Sequence, residues 1–193
     1  MVRGMRIVVI GATGTIGSAV ADALADRHEV VRASRNGPAR VDVDDGASVD
    51  AFFAEVKNID AVVSCATGTP ARWQALFGPL DKLGEAQLTS LLDGLGAHVR
   101  FLLACCRHVV DGGSITVTTG ALAHQPIPGS AAVTMMAAGL EGFVRGAALD
   151  MPRGVRFWYC SGVSAVTARK CRWNEVVLIP ASRATSSMRS AWR

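Results

Sequence analysis

Short apolar runs alternate with amphipathic stretches over the first 160 residues of this chain. The apolar runs predict strands at Met5–Ile10, Glu29–Ala33, Arg40–Val43, Ile59–Ser64, Ser114–Thr118 and Val155–Tyr159. Apolar residues at helical spacing predict helices at Thr15–Ala25, Ser48–Val56, Glu85–His108 and Ser130–Leu149, and Asp111-Gly112-Gly113 predicts a turn. Strands that alternate with helices favour a Rossmann-type α/β fold, a doubly wound parallel sheet with helices on both faces.

The pattern weakens after Tyr159. We therefore assign residues 1–160 to the Rossmann domain and residues 161–193 to an irregular basic tail, which leaves the sheet incomplete at its C-terminal edge. Residues 153–193 hold 8 basic residues and 1 acidic residue, whereas residues 1–152 hold 12 and 15. Because the tail lacks aromatic repeats that bind bases, we expect no nucleic-acid partner.

The remaining composition indicates a cytoplasmic protein. The five cysteines show no Cys-x-x-Cys spacing, so we expect reduced thiols and no metal site. Charged residues interrupt the longest apolar stretches before they reach the roughly 18 residues of a membrane span, and no signal peptide is recognisable. We therefore expect no membrane association.

A glycine-rich turn between the first strand and the first helix predicts a dinucleotide site. Its sequence is Gly11-Ala12-Thr13-Gly14-Thr15-Ile16-Gly17. Gly11 permits a tight turn, Gly14 lets the backbone approach a pyrophosphate, and Gly17 lets helix and strand pack closely. The free N–H groups at the start of that helix then face the phosphates, so Thr13, Thr15 and Ile16 complete the predicted phosphate site.

The end of the second strand favours NADP over NAD. NAD-binding proteins commonly place an acidic residue there, whereas arginine matches a 2′-phosphate. This chain has Arg32-Ala33-Ser34-Arg35 and no acid. Arg35 can make charge-assisted hydrogen bonds to a phosphate and Ser34 can donate another, although NAD stays possible.

At this point the sequence resembles the short-chain dehydrogenase/reductase family, in particular its compact members with a Gly-x-x-Gly-x-x-Gly turn. The resemblance covers roughly residues 5–156 and includes the turn, Val41-Asp42-Val43, residues 60–66, residues 113–119 and Leu140–Met151. It implies that Asp42 reaches the adenine amino group, that Val43 packs beside the ring, and that Ser64, Cys65 and Ala66 lie along the cofactor. It also implies a homodimer through residues 85–108 and 130–149.

The chain departs from the family at the catalytic residues. The family uses Ser, Tyr and Lys, but the resemblance puts Gly120, Val133 and Ala137 at these positions. Thr119 is a possible substitute for the serine, with Ser130 near it on the following loop. His124 is a possible proton donor, because imidazole serves this role near neutral pH. Gly94 lies near the place of the family's helix asparagine.

Three interpretations follow. The first is an NADP(H)-dependent oxidoreductase that acts on a small carbonyl or alcohol, with an atypical active site. The second is a non-catalytic dinucleotide-binding protein, either a redox sensor or the inactive partner of an active relative. The third is a truncated or frame-shifted family member, which the aberrant residues 157–193 favour.

Overall fold

The apolar runs form six parallel strands in one sheet, and the amphipathic stretches form the helices between them. The computed structural model describes residues 4–66 and 76–161. The elements in chain order are β1 (Arg6–Ile10), α1 (Thr15–Ala25), β2 (Glu29–Ser34), β3 (Ala39–Arg40), α2 (Gly46–Glu55), β4 (Ile59–Ser64), α3 (Glu85–His108), β5 (Val109–Thr118), α4 (Ala131–Ala147) and β6 (Arg156–Cys160). The strand order is β3-β2-β1-β4-β5-β6, so the predicted Rossmann fold is confirmed.

Alternation along β1 divides the core between the two faces of the sheet. Ile7 and Val9 pack against α1 on one face. Val8 and Ile10 belong to the larger cluster on the other face, where α2, α3 and α4 contribute Phe53, Phe101, Leu140 and other side chains. A strand buried on both faces reads as a continuous apolar run, which is why β1 was recognisable.

The order of the strands fixes the place of a ligand site. The chain runs from β1 outward to β2 and β3, and then crosses to β4 on the other side of β1. Ligands of open parallel sheets bind at this switch point, at the carboxyl ends of the strands. We call the row of carboxyl ends from β3 to β6 the ligand edge.

The prediction of a turn at Asp111-Gly112-Gly113 is wrong, because these residues lie inside β5. Val109 pairs with Ile59, and Ser114 pairs with Ala61. The chain therefore advances five residues along β5 over a stretch in which β4 advances only two. Gly112 adopts φ +71°, a conformation that favours glycine. A bulge of this kind carries the signals of a turn although the strand continues beyond it.

The bounds of β3 and α2 are among those that differ from the prediction. Strand β3 is Ala39–Arg40, and Val41 to Val43 form the connection to α2. Helix α2 begins at Gly46, because Asp45 caps it through a 2.9 Å hydrogen bond from the N–H of Ala47 to Oδ1. The predicted irregular tail, residues 161–193, lies outside the described residues except for Ser161.

Helix α3 is long and apolar enough, by length and composition alone, to cross a membrane. Core helices of soluble proteins pass the same test, and α3 supplies Leu91, Phe101 and Leu102 to the clusters beneath it. Its presence is therefore weak evidence of a membrane span.

Candidate functional site

The glycine turn follows β1 at the centre of the ligand edge. The N–H groups of Gly11 and Ala12 donate to the carbonyl of Ala33, at 2.8 and 3.1 Å, so the turn is fixed to the end of β2. Gly11 adopts φ +76°, and a Cβ there would lie 2.8 Å from the carbonyl oxygen of Cys65. A Cβ on Gly17 would overlap the carbonyl of Gly11. Side chains are thus excluded from both positions by backbone atoms.

The first turn of α1 offers unpaired donors to a ligand. Gly14 is the N-cap residue and has no side chain with which to accept their hydrogen bonds. Thr13, Gly14 and Thr15 are exposed, and Ile16 is half-buried. Because the first N–H groups of a helix have no partner within it, they form an anion site at this end of the helix. The glycine cradle and the exposed helix start fit the pyrophosphate of a dinucleotide.

A polar cavity of about 350 Å³ lies at the ends of β2 and β3. Its lining residues are Arg35, Asn36, Arg40, Asp42, Asp45 and Ser48. The sequence predicted Arg35 here but missed Arg40, which enters because β3 pairs in parallel with β2 and puts Arg40 beside Ser34. Two guanidinium groups at one cavity can bind a phosphate that carries two negative charges.

The carboxylates of this cavity are already engaged in local structure. Asp42 Oδ1 accepts a hydrogen bond from the N–H of Asp44 at 3.1 Å, and Asp45 caps α2. Val43 packs against the larger core cluster. Ser34 is buried, its hydroxyl lies beneath Gly37, and it has no hydrogen-bond partner among the described residues.

The end of β4 adjoins the glycine turn. The N–H of Cys65 donates to the carbonyl of Ile10 at 2.9 Å, and Ala66 follows before residues 67–75, which lie outside the described part of the chain. Burial raises the pKa of the Cys65 thiol to about 12, with a smaller opposing effect from its hydrogen bond with Thr118. Ser64, also buried, has no hydrogen-bond partner for its hydroxyl within the described chain.

At the other half of the ligand edge, α4 presents an apolar stripe where the family resemblance expects tyrosine and lysine. Val133 and Ala137 are both buried, and Val133 packs with Leu76 and Leu91. The next position on the same stripe, Glu141, is only 1% exposed. No motif pointed to Glu141, because a single glutamate on a helix carries no sequence signal of burial.

Glu141 connects the two candidate catalytic residues. Thr119 Oγ1 donates to Glu141 Oε1 at 2.7 Å, and His124 Nε2 lies 2.8 Å from Glu141 Oε2. Arg145 lies farther away, at 3.9 Å from Oε2. Thr119 directly follows β5, and its N–H donates to the carbonyl of Cys160 at the end of β6. We call Thr119, His124 and Glu141 the carboxylate cluster.

Ser130 takes no part in that cluster. Its hydroxyl donates to the carbonyl of Ile127 at 2.7 Å and accepts from the N–H of the same residue at 3.0 Å. It is fully buried at the start of α4 and therefore stabilises the turn into the helix.

Comparisons with known proteins agree with this architecture. The model of the NAD dependent epimerase/dehydratase family matches residues 7–89, which span the glycine turn and β1 to β4. The short-chain dehydrogenase/reductase malC of Malbranchea aurantiaca is 26% identical over 181 residues, which cover 78% of this chain and 68% of that protein.

Solved structures share the fold over most of the chain. The crystal structure of the protein lin1944 from Listeria innocua has a TM-score of 0.76 and 28% identity, and the match covers 97% of this chain and 93% of that one. A small-chain dehydrogenase in complex with NADPH has a TM-score of 0.66 and 24% identity, covering 77% and 66%. In sequence and in fold, this chain is therefore similar to short-chain dehydrogenases/reductases.

Proposed function

We propose that the protein is an NADP(H)-dependent oxidoreductase that acts on a small carbonyl or alcohol. The observation that carries this proposal is the glycine cradle of Gly11, Gly14 and Gly17 beside the cavity of Arg35 and Arg40. The cradle suits a pyrophosphate, and the two arginines suit a 2′-phosphate. When bound, the reduced cofactor supplies a hydride.

The two arginines that line the cavity support NADP rather than NAD. No carboxylate follows Ser34 at the end of β2, where Arg35 stands instead. Arg35 and Arg40 reach the cavity from two neighbouring strand ends, and a similar structure is a dehydrogenase in complex with NADPH. The contacts of Asp42 and Val43 with the adenine stay predictions, as does the place of Cys65 and Ala66 along the cofactor.

The variant Arg35→Ala tests the cofactor preference. Loss of a charge-assisted hydrogen bond costs about 1.5–3 kcal/mol, so we expect NADPH to bind roughly tenfold to a hundredfold more weakly. NADH affinity should change little, because NADH lacks the 2′-phosphate. Arg40→Ala should act in the same direction. Isothermal titration calorimetry measures both cofactors, and Arg27→Ala, an exposed arginine at the end of α1, is the matched control. Equal wild-type affinities for NADPH and NADH would contradict the proposal.

A non-catalytic dinucleotide-binding protein is the second candidate function. The apolar Val133 and Ala137 favour it, because neither side chain can donate a proton. Tight NADPH binding without turnover of any carbonyl in a broad panel would support this candidate over the enzyme.

We also propose a homodimer through α3 and α4. Leu88, Leu92 and Met135 are exposed on these helices, and the small residues Ala138 and Gly139 are exposed on α4. Apolar side chains exposed on adjacent helices mark a docking face when they are contiguous.

The variant Ala138→Asp tests this dimer. Ala138 is exposed, whereas Ala147 packs on the core cluster and would report folding instead. We expect Ala138→Asp to give monomer in analytical ultracentrifugation. Ala54→Asp, on the exposed side of α2, should leave the dimer unchanged. A wild-type monomer at micromolar concentration would refute the proposal.

A cytoplasmic location completes the proposed function. The four described cysteines are buried and free, as is usual in a reducing compartment. Recovery of the protein in the soluble cytoplasmic fraction of its host would support this location, and recovery with membranes would contradict it.

A further inference from the structure

The carboxylate cluster has the chemistry of a proton-transfer site. Glu141 is almost completely buried, whereas His124 is 51% exposed. A buried carboxylate is costly unless hydrogen bonds satisfy both of its oxygens, and here Thr119 satisfies one and His124 the other. The cluster therefore joins a buried anion to an imidazole that solvent can reach.

The buried carboxylate fixes which nitrogen of His124 exchanges protons. An ionised carboxylate only accepts hydrogen bonds, so His124 Nε2 must carry a hydrogen and donate it to Glu141. Nδ1 is then the atom that binds or releases a proton. Orientation of an imidazole by a buried carboxylate is a general device for holding one tautomer.

The position of the cluster matches that chemistry. Thr119 is held to the end of β6 through its N–H, so the cluster stands at the ligand edge over β5 and β6. The 3₁₀ turn Ala121–Ala123 carries the chain from Thr119 to His124. The glycine turn occupies the centre of the same edge, so a ligand that extends from it toward β5 approaches His124.

The neighbouring charged groups leave this pairing intact. Arg145 is more than half exposed, lies 3.9 Å from Glu141, and donates to the hydroxyl of Tyr159 on β6 at 3.4 Å. Of the two basic groups beside Glu141, the imidazole makes the closer contact. Thr119 holds the opposite oxygen and orients the carboxylate.

We propose that His124 is the proton donor and acceptor of this protein and that Glu141 is the residue that positions it. The inference rests on the proposed oxidoreductase function. In the reducing direction, the cofactor's hydride goes to the carbonyl carbon and the Nδ1 proton of the imidazolium goes to the oxygen. The products are an alcohol, the oxidised cofactor and a neutral imidazole, which regains a proton from water. Oxidation of an alcohol reverses these transfers, with Nδ1 accepting the proton.

The variant Glu141→Gln gives a test that does not need activity. Its amide can still accept from Thr119, but an amide N–H facing His124 donates to Nε2 and moves the hydrogen of the neutral imidazole to Nδ1. Two-dimensional ¹⁵N NMR should therefore show Nε2–H in the wild type and Nδ1–H in the variant. Differential scanning calorimetry of both proteins should show that the variant keeps the fold. A wild-type imidazole with Nδ1–H would overturn the inference.

The kinetic test uses His124→Ala with a panel of small aldehydes, ketones and alcohols. General acid–base catalysis contributes typically 10²–10⁴-fold, so kcat should fall by roughly that factor while NADPH affinity measured by calorimetry stays within about twofold. Added imidazole should restore part of the rate, because the imidazole site is half exposed. Glu141→Gln should slow alcohol oxidation by about tenfold or more. In this variant Nδ1 of His124 already carries a hydrogen, so it cannot accept the proton of the alcohol. His28→Ala, at the opposite end of the sheet, is the matched control.

The outcomes separate this inference from the function on which it rests. If the wild type binds neither NADPH nor NADP⁺, the proposed function fails and the inference fails with it. If the cofactor binds and turnover survives in His124→Ala, or if the wild type turns over no substrate of the panel, the inference alone is overturned. Loss of turnover with imidazole rescue and intact cofactor binding supports it.

Discussion

The two halves of the ligand edge are held together in different ways. Over β1 and β2 the chain uses backbone: glycines at positions 11 and 17 let main-chain atoms approach where any Cβ would collide. Over β5 and β6 it uses side chains, and the carboxylate of Glu141 is satisfied by a hydroxyl and an imidazole. The nucleotide half matches the glycine pattern of the family that the chain resembles, whereas the other half has Val133 and Ala137 where that resemblance expects tyrosine and lysine.

This difference follows from what each half requires. A backbone that must pass within contact distance of another backbone accepts only glycine, so local geometry alone fixes the residue type at these positions. A proton donor requires only a suitable group at the right place, and histidine or tyrosine can supply it from different elements. The glycine turn is therefore readable in the sequence, whereas the carboxylate that holds Thr119 and His124 is not.

The largest effect that we predict comes from Gly17→Ala. The new Cβ would overlap the carbonyl of Gly11, and neither atom belongs to a flexible side chain. Overpacking costs typically 1–3 kcal/mol and more when backbone must move, so we expect at least that loss of unfolding free energy and at least tenfold weaker NADPH binding. Urea unfolding and calorimetry measure the two effects.

Gly46→Ala is the matched control for this change. A Cβ on Gly46, the first residue of α2, meets nothing within 4 Å. Alanine there should stabilise the protein by up to about 1 kcal/mol, because it favours the helix. If both substitutions have the same effect, the close approach of Gly17 to the turn does not limit the nucleotide half.

A smaller loss is expected for Thr119→Val in the chemical half. Valine keeps the shape of threonine but leaves Glu141 Oε1 without its 2.7 Å hydrogen bond. An unsatisfied buried acceptor costs about 1–3 kcal/mol, and differential scanning calorimetry should show a lower Tm. Thr116→Val, three residues earlier on β5 and half-buried, should change stability much less. An unchanged Tm in Thr119→Val would mean that the carboxylate cluster does not stabilise the fold.

Much of the fold was predictable because burial and periodicity are local properties of the sequence. The bounds of α1, β4 and α3 agree with the prediction at both ends. The error at Asp111-Gly112-Gly113 arose because a bulge and a turn both need glycine with positive φ. The start of α2 was missed because Asp42 and Asp44, just before the actual cap Asp45, are residues of the same type that could also cap a helix.

The site residues that were missed depend on long-range pairing. Arg40 lines the cavity because β3 pairs with β2. A strand of only two residues is too short for its pairing to be predicted from the sequence. Glu141 contacts Thr119 across 22 positions of the chain and His124 across 17. Thr119 and His124 could be named as candidates from their place after β5, but only the packing of α4 on β5 reveals that one carboxylate holds both.

The smallest predicted effect concerns a buried polar group that is not paired, in contrast to Glu141. His98 on α3 has no partner for Nε2 among the described residues. Burial lowers the pKa of His98 below the ordinary value of a histidine, and the opposing effect of the Asp44 carboxylate is smaller. The unfolded chain therefore binds more protons than the folded protein below about pH 6.5, so the free energy of unfolding should fall as the pH falls through that range. One such group contributes at most about 1.4 kcal/mol per pH unit. Urea unfolding between pH 7 and pH 5 should give a shallower slope for His98→Leu than for the wild type. Equal slopes in the two proteins would show that His98 is charged in the folded state and has found a partner there.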